Sequence, residues 1–368
     1  MKKCVILAGE KSGDLIGAEV CERLLHYGFD IFGIGGENML KNGLKKSFFD
    51  IKEISIMGFL EVLPKVFAIK KRIRETASKI LEINPSFVLT IDAPGFNARV
   101  VSLIKPHFKG KIFHAVAPTV WAYKEKRAKK FAKLYNALFC ILPFEPQYFT
   151  KEGLVAEYIC YPPLFRVLGE LEDVKNKDKE YILFSLGSRK TEVLHHLKFA
   201  KEVVLKIKAV LPKIIFVFPS FEEFEEDIKQ IFPDEIVCID SKKKLEYAKR
   251  AKFAISKSGT GAVETSFLGV PSIIFYKVNM LSYIIIKMMA KVKFVNLINI
   301  LLKKESIPEF IQGDATPTKV ANKAIEMMQN VNLCQAQLED VNKAKEIFLQ
   351  TSYTNFGEGV VDKIIKIL

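Results

Sequence analysis

None of the six cysteines (Cys4, Cys21, Cys140, Cys160, Cys238, Cys334) stands in a Cys-x-x-Cys pair. That excludes a zinc ribbon or a dithiol redox motif and predicts buried free thiols in a reducing cytoplasm. The five histidines show no ligand spacing, and His195-His196 reads as a solvated pair on a helix. His-Glu-x-x-His, Asp-x-Asp and Cys/His clusters are all missing, so no metal and no other cofactor is expected. Neither Gly-x-Gly-x-x-Gly nor the P-loop pattern occurs, which excludes a dinucleotide fingerprint and a Walker-type phosphate loop. A long apolar run is missing too. The most membrane-like stretch, Met280–Leu302, is interrupted by Lys287, Lys291, Lys293 and Asn296, so it reads as core or peripheral contact rather than a spanning helix. At the amino end, Cys4–Ala8 is too short for an export signal and reads as a first buried strand.

What is present is a chain of 368 residues with 56 Lys+Arg against 42 Asp+Glu, a formal charge of +14. The length suits two domains. The charge predicts an anionic partner, whether nucleic acid, acidic lipid or a phosphorylated substrate. Apolar strands alternate with amphipathic helices. Val5–Ala8, Ile31–Ile34, Phe87–Ile91 and Lys111–Val116 read as strands, with a helix at Asp14–His26. Near residue 165 the pattern restarts after a charge-rich stretch at Glu170–Glu180. Strands follow at Tyr181–Leu186, Ile214–Pro219, Ile236–Ile239, Phe253–Ser256 and Ser272–Tyr276. Such alternation predicts an α/β protein of two Rossmann-like domains, 1–165 and 166–344, facing a cleft. A terminal helix is expected at about 345–368. Parallel sheets bind ligands at the carboxyl ends of their strands, so the cleft is the expected site.

Four loops occupy such positions. Gly9-Glu10-Lys11-Ser12-Gly13-Asp14 follows the first strand, where Ser12 or Asp14 is expected to cap the next helix. Asp92 ends an apolar strand and is placed to act as a base; the plainer reading is an Asp that opens a turn before Pro94. In the second half, Gly187 lets a phosphate approach the backbone in Ser185-Leu186-Gly187-Ser188-Arg189, and Arg189 supplies a forked cation. Ser258-Gly259-Thr260-Gly261 opens a helix whose N–H groups favour an anion. The two turns together suggest one bound diphosphate, with Glu264 one turn further on facing a ribose or, alternatively, solvent.

Two basic stretches complete the pattern. In Leu60–Leu81, Leu63, Val66, Phe67, Ile73, Ala77, Ile80 and Leu81 share a helical face, while Lys65, Lys70, Lys71, Arg72 and Arg74 populate the rest. Tyr123–Leu134 carries Lys124, Lys126, Arg127, Lys129, Lys130 and Lys133. Each reads as an ordinary surface helix or as contact with an anionic membrane. Aromatics are not interleaved as stacking platforms, which argues against nucleic acid.

The segments Ala8–Asp14 (AGEKSGD), Gly33–Met39 (GIGGENM), Met57–Leu63 (MGFLEVL), Ile91–Asn97 (IDAPGFN), Ala117–Arg127 (APTVWAYKEKR), Leu142–Glu145 (LPFE), Leu186–Val193 (LGSRKTEV) and Ser258–Glu264 (SGTGAVE) resemble, in this order, the lipid-A-disaccharide synthases of Gram-negative bacteria. Asn296–Asn299 and Pro308–Gln312 extend the likeness. The resemblance implies a GT-B fold and an inverting, metal-independent glycosyltransferase. The implied donor is UDP-diacylglucosamine and the implied acceptor is 2,3-diacylglucosamine 1-phosphate, lipid X. The products are a β-1,6 disaccharide 1-phosphate and UDP. It also implies peripheral attachment to the cytoplasmic face of the inner membrane, a terminal helix packed back on the first domain or on a dimer partner, and a homodimer exchanging about Thr351–Leu368. Three positions depart from the family pattern: Gly95 where a second Asp is usual, Cys160-Tyr161-Pro162 where Gly-His-Pro is common, and His114 before the turn that follows its strand.

On this reading Asp92 is the base, Glu10 its alternative, and Arg189 stabilises the departing UDP. Ser12, Gly13, Asp14, Gly187, Ser188, Ser258, Gly259, Thr260, Gly261 and Glu264 bind substrate, with Asn299 and Gln312 as uracil or phosphate contacts. Met57, Phe59, Leu60, Leu63, Val66, Phe67, Lys70, Lys71 and Arg72 face acyl chains or lipid. The alternatives are another nucleotide-sugar enzyme on this fold, such as a peptidoglycan-type glycosyltransferase or a UDP-sugar 2-epimerase, or a non-catalytic UDP-binding protein at the membrane.

Overall fold

The computed structural model describes residues 2–54, 66–171, 181–232, 236–278, 283 and 292–368. It divides into two compact units, Met1–Pro162 with Gln350–Leu368, and Pro163–Leu349. The expected lipid contacts Met57, Phe59, Leu60 and Leu63 lie outside the described residues, as do 172–180 of the charge-rich stretch and most of 279–291.

The first unit is built on a parallel sheet of β1 (Lys2–Ala8), β2 (Phe29–Ile34), β3 (Leu44–Ser47), β4 (Phe87–Ile91), β5 (Lys111–Ala115), β6 (Ala137–Cys140) and β7 (Val155–Tyr158). Their order is β3-β2-β1-β4-β5-β6-β7. Crossover helices cover such a sheet on both faces, so its central strands are apolar throughout rather than alternating. All five residues of β4 are buried. Val5, Leu7 and Val88 of the sheet share a core with Ile73 and Ile80 of the helix Val66–Ile83 and with Phe131 of the helix Arg127–Leu134. The short strands β3, β6 and β7 escape a sequence reading. Each has four residues, and β3 carries two exposed lysines at the sheet edge.

The second unit repeats the plan with β8 (Tyr181–Ser185), β9 (Ile215–Ser220), β10 (Ile236–Asp240), β11 (Ala251–Lys257), β12 (Ser272–Tyr276) and β13 (Glu309–Ile311). The parallel order β10-β9-β8-β11-β12-β13 is that of the dinucleotide-binding fold. Its core is rich in phenylalanine. Phe184 and Phe218 stack with centroids 5.1 Å apart, and Phe275 meets Phe184 edge-on. His196 is buried against Phe275, its two ring nitrogens bonded to the carbonyls of Leu186 and Lys277. The expectation of a solvated His195-His196 pair therefore fails for His196, since successive helix residues point about 100° apart.

The C-terminal helix Phe356–Ile367 packs on the helix Lys11–His26 of its own unit. Gly357 sits so close that an added Cβ would lie 2.4 Å from Glu19 Cβ. Its N–H donates to Glu19 (3.1 Å), and Arg23 pairs with Asp362 at 3.4 Å. All six cysteines are free, and Cys4, Cys21, Cys140 and Cys160 are buried.

Candidate active site

Open parallel sheets take ligands outside the carboxyl ends of their strands, where the strand order reverses direction. In the first unit that point lies between β1 and β4; in the second it lies between β8 and β11. The four loops singled out in the sequence are those that leave these four strands.

In the first unit the two loops touch. Gly9 lies against the turn after β4, where a Cβ would stand 2.1 Å from Ala93 Cβ. Ser12 Oγ donates across the switch point to Asp92 Oδ2 at 3.3 Å, and the Ala93 N–H donates to Asp92 Oδ1 at 2.8 Å. Asp92 and Ala93 both adopt left-handed backbone conformations, with φ of 52° and 41°. Val116, after β5, does so with φ of 69°. A β-branched residue in this region is a true outlier, and such strain, about 1–3 kcal/mol per residue, concentrates at functional sites. The turn is held by β-sheet and side-chain bonds. Asp92 N donates to Ala115 O, and the buried Asn97 amide donates to the carbonyls of Asp92 (2.7 Å) and Ile91 (3.3 Å). Pro94 opens the helix Pro94–Ile104 at a position that needs no N–H. Burial raises the Asp92 pKa above the usual carboxylate range, against the two hydrogen bonds that lower it. A carboxylate so placed is a stronger base than one in water.

The helix after β1 begins at Lys11, three residues earlier than expected, with Glu10 half-buried at its N-cap and making no side-chain cap bond. Ser12, Gly13 and Asp14 thus lie inside its first turn, and neither Ser12 nor Asp14 caps it. Asp14 caps a different helix. Its buried carboxylate accepts from the N–H groups of Gly36 (2.6 Å), Asn38 and Met39 (both 3.1 Å) and from the Asn38 side chain (2.8 Å), at the start of the helix Glu37–Lys41. That role is structural.

Another acid of the first unit has no counterpart in the sequence reading. Glu145 is 1% exposed, accepts from the Trp121 indole (3.2 Å) and the Leu142 N–H (3.1 Å), and is pushed by burial up to about 8. Its one sequence signal is that it closes the LPFE segment. His114, also fully buried, shares a 2.6 Å hydrogen bond with Thr90, and burial brings its pKa down to about 3, so the ring is neutral.

In the second unit Gly187 has φ of 125°, and a Cβ there would lie 2.8 Å from Glu192. Ser188 is exposed in the turn, and Arg189 is the N-cap of the helix Lys190–Val210. Ser258 is buried, and its N–H donates to Phe275 O at 2.9 Å. That bond engages its N–H, while Gly259 is the N-cap and Thr260 and Gly261 lie in the first turn of the helix Thr260–Phe267. The first N–H groups of a helix have no acceptor within it. Beneath this turn Lys244 donates to Gly261 O at 2.7 Å. Glu264 is buried rather than solvated, and pairs with Arg166 at 3.1 Å. Burial raises its pKa against the opposing pull of Lys244 and Arg166.

Three further residues singled out in the sequence make internal bonds. Asn299 is fully buried. Its amide donates to Ile307 O and Glu309, and its carbonyl accepts from the N–H groups of Ser306 and Ile307. Gln312 is bonded at both ends to the backbone of Val278. Each therefore braces the second unit through its side chain. Arg72 reaches Glu53 at 2.6 Å and Glu75 at 2.7 Å and lies over the Phe49 ring, so it pins the helix Val66–Ile83. Phe67 by contrast is 84% exposed, beside exposed Lys70 and Lys71. Among the described residues no helix is long and apolar enough to cross a membrane, and no trio of His, Cys, Asp or Glu is placed to hold a metal.

The family model described as lipid-A-disaccharide synthetase matches residues 4–358. The chain is 39% identical over 354 residues to the lipid-A-disaccharide synthase of Rickettsia bellii (strain OSU 85-389), covering 93% of each. Two solved structures share the fold at low identity. The UDP-GlcNAc 2-epimerase of Neisseria meningitidis bound to UDP-GlcNAc has a TM-score of 0.61 at 12% identity, over 100% of both chains. Acinetobacter baumannii MurG has 0.59 at 14%, again over 100% of both. At such identities the likeness is one of fold alone.

Proposed function

The chain belongs to the lipid-A-disaccharide synthetase family, and from that premise we propose that its two switch points divide the work of one glycosyl transfer. The protein is a glycosyltransferase of lipid A biosynthesis. It transfers 2,3-diacylglucosamine from UDP to 2,3-diacylglucosamine 1-phosphate and releases a β-1,6 disaccharide 1-phosphate and UDP. The epimerase and peptidoglycan-type alternatives share the fold, but the match over residues 4–358 favours the synthetase.

The observation that carries the chemistry is Asp92: a partly buried carboxylate on a strained turn, oriented by Ser12 and by its neighbour's N–H. In one displacement the acceptor 6-oxygen attacks C1 of the donor sugar and its proton passes to Asp92. The C1–oxygen bond to UDP breaks with inversion, and the electron pair leaves on the diphosphate. Such base catalysis contributes about 10²–10⁴-fold. In the second unit Arg189 and the turn Gly259–Gly261 take up the charge on the diphosphate, each donor being worth about 10²–10³-fold in rate. Glu264 takes the ribose hydroxyls and Gly187 admits the phosphate to the backbone. Glu10 is the alternative base.

The exposed Phe67 with Lys70 and Lys71, and the exposed Lys129, Lys130 and Lys133 of the helix Arg127–Leu134, support docking on the anionic cytoplasmic face of the inner membrane. Each such cation adds on the order of 1 kcal/mol. The resemblance to the family is what supports a homodimer exchanging about 351–368; the contacts of this segment with the helix Lys11–His26 are made within one chain. The test is a radiolabelled disaccharide assay on folded Asp92→Asn and Arg189→Ala. Loss of two orders of magnitude or more is expected, and near-normal turnover in either variant removes that residue from its role.

A further inference from the structure

The diphosphate end of the second unit holds more charge than its two glycine turns account for. Lys257 is the last residue of β11, directly before Ser258, and its side chain is only 19% exposed. Its ammonium bonds Glu192 Oε1 at 3.0 Å, and the same oxygen accepts from Arg189 Nη1 at 3.4 Å. Glu192 thus joins the end of β11 to the start of the helix Lys190–Val210, with its other oxygen over Gly187. Lys257 Cδ also lies near Gly187, 3.6 Å from an added Cβ. Independently, Ser185 and Ser256 are register partners at the carboxyl ends of β8 and β11. Both hydroxyls are buried and have no hydrogen-bond partner among the described residues, and Ser256 as a whole is 1% exposed. Strand ends with unmet polar capacity beside two cations suit a multiply charged oxygen ligand.

We propose that Lys257 is a second diphosphate-binding cation beside Arg189, and that Glu192 is a positioning residue that holds both cations at the Gly187 turn. The inference rests on the reading of this turn as the UDP site. A carboxylate shared by two cations fixes two long side chains before the ligand arrives, so less side-chain freedom is lost on binding. The pair also leaves one net positive charge at the turn, which favours a diphosphate over a neutral nucleoside.

The test is calorimetric titration of the full-length protein with UDP, uridine and inorganic pyrophosphate, on wild type, Lys257→Ala, Lys257→Arg and Glu192→Gln. Lys257→Ala is expected to weaken UDP and pyrophosphate about tenfold. It should leave uridine unchanged and reduce the salt dependence of UDP binding, and Lys257→Arg should restore most of the affinity. Glu192→Gln adds positive charge at the turn but releases both cations, and the lost positioning is expected to outweigh the charge and lower the preference for UDP over uridine several-fold. If Lys257→Ala binds UDP like the wild type, or weakens uridine and UDP alike, the lysine is only structural and the proposal fails. Tighter UDP binding by Glu192→Gln shows the carboxylate to be a competitor of the phosphates and removes its positioning role. Wild-type protein that binds no UDP at all overturns the underlying reading of the site instead.

Discussion

Replacing Asp14 with alanine tests whether the first loop owes its acid to folding or to substrate. The carboxylate meets four donors, of which the Met39 N–H is buried while those of Gly36 and Asn38 lie nearer solvent. A lost cap costs about 0.5–2 kcal/mol. A buried donor left without an acceptor adds about 1–3 kcal/mol, and the donors that water can reach add little. Together these give a destabilisation of about 3 kcal/mol for Asp14→Ala. The chain has one tryptophan, Trp121, and it lies in the first unit, so its fluorescence follows the unfolding of that unit. With a urea dependence of about 2 kcal/mol per molar, the midpoint should fall by about 1.5 M. Uridine nucleotide affinity, proposed above to reside in the second unit, should not change in the folded variant. A midpoint shift corresponding to less than about 1 kcal/mol, or a loss of UDP binding with stability intact, would refute the structural role.

Ser12→Ala removes a hydrogen bond that lowers the Asp92 pKa, so that pKa rises further. Because the base works ionised, activity is lost as pH falls through the pKa, and the acidic limb of the rate profile should move to higher pH in the variant. An unmoved limb separates Asp92 from the rate-determining proton transfer. Glu145 titrates in the folded protein at about 8, above the usual carboxylate value. Between those values the folded state binds more protons than the unfolded state, so this group's contribution is fully present at low pH and is lost as pH rises through about 8. Glu145→Gln should flatten the decline of first-unit stability over that window, read by urea titration at several pH values; an unchanged slope assigns the decline elsewhere. Asn299→Ala breaks four hydrogen bonds in a buried brace and should cost roughly 2–4 kcal/mol. Hydrogen exchange at 306–309 should speed up while uridine affinity of the remaining folded protein holds. Weakened uridine binding with normal exchange would return Asn299 to the ligand contacts.

Period and composition carried much of the fold. Strands such as Phe87–Ile91 and Ser272–Tyr276 are apolar throughout because a covered parallel sheet has no wet face, and that is visible in one sequence. Four-residue strands at or near a sheet edge, such as Leu44–Ser47, leave no such trace, since pairing with a neighbour far along the chain creates them. The loops of the site were legible for the same local reason: glycine and a polar residue directly after a buried strand.

What the sequence by itself determined is therefore the tandem α/β plan and the positions where ligand loops leave the sheets. Only the tertiary structure decided which polar residues of those loops remain for chemistry. Asp14, Asn299 and Gln312 look like ligand contacts by type and place, yet each is engaged by backbone groups, those of Asp14 and Gln312 from segments 22 or more residues away. Lys257 looks like an ordinary lysine, yet Glu192, 65 positions away, draws it to the Gly187 turn. A hydrogen bond is a matter of ångströms and direction, and strand order, not chain order, sets both.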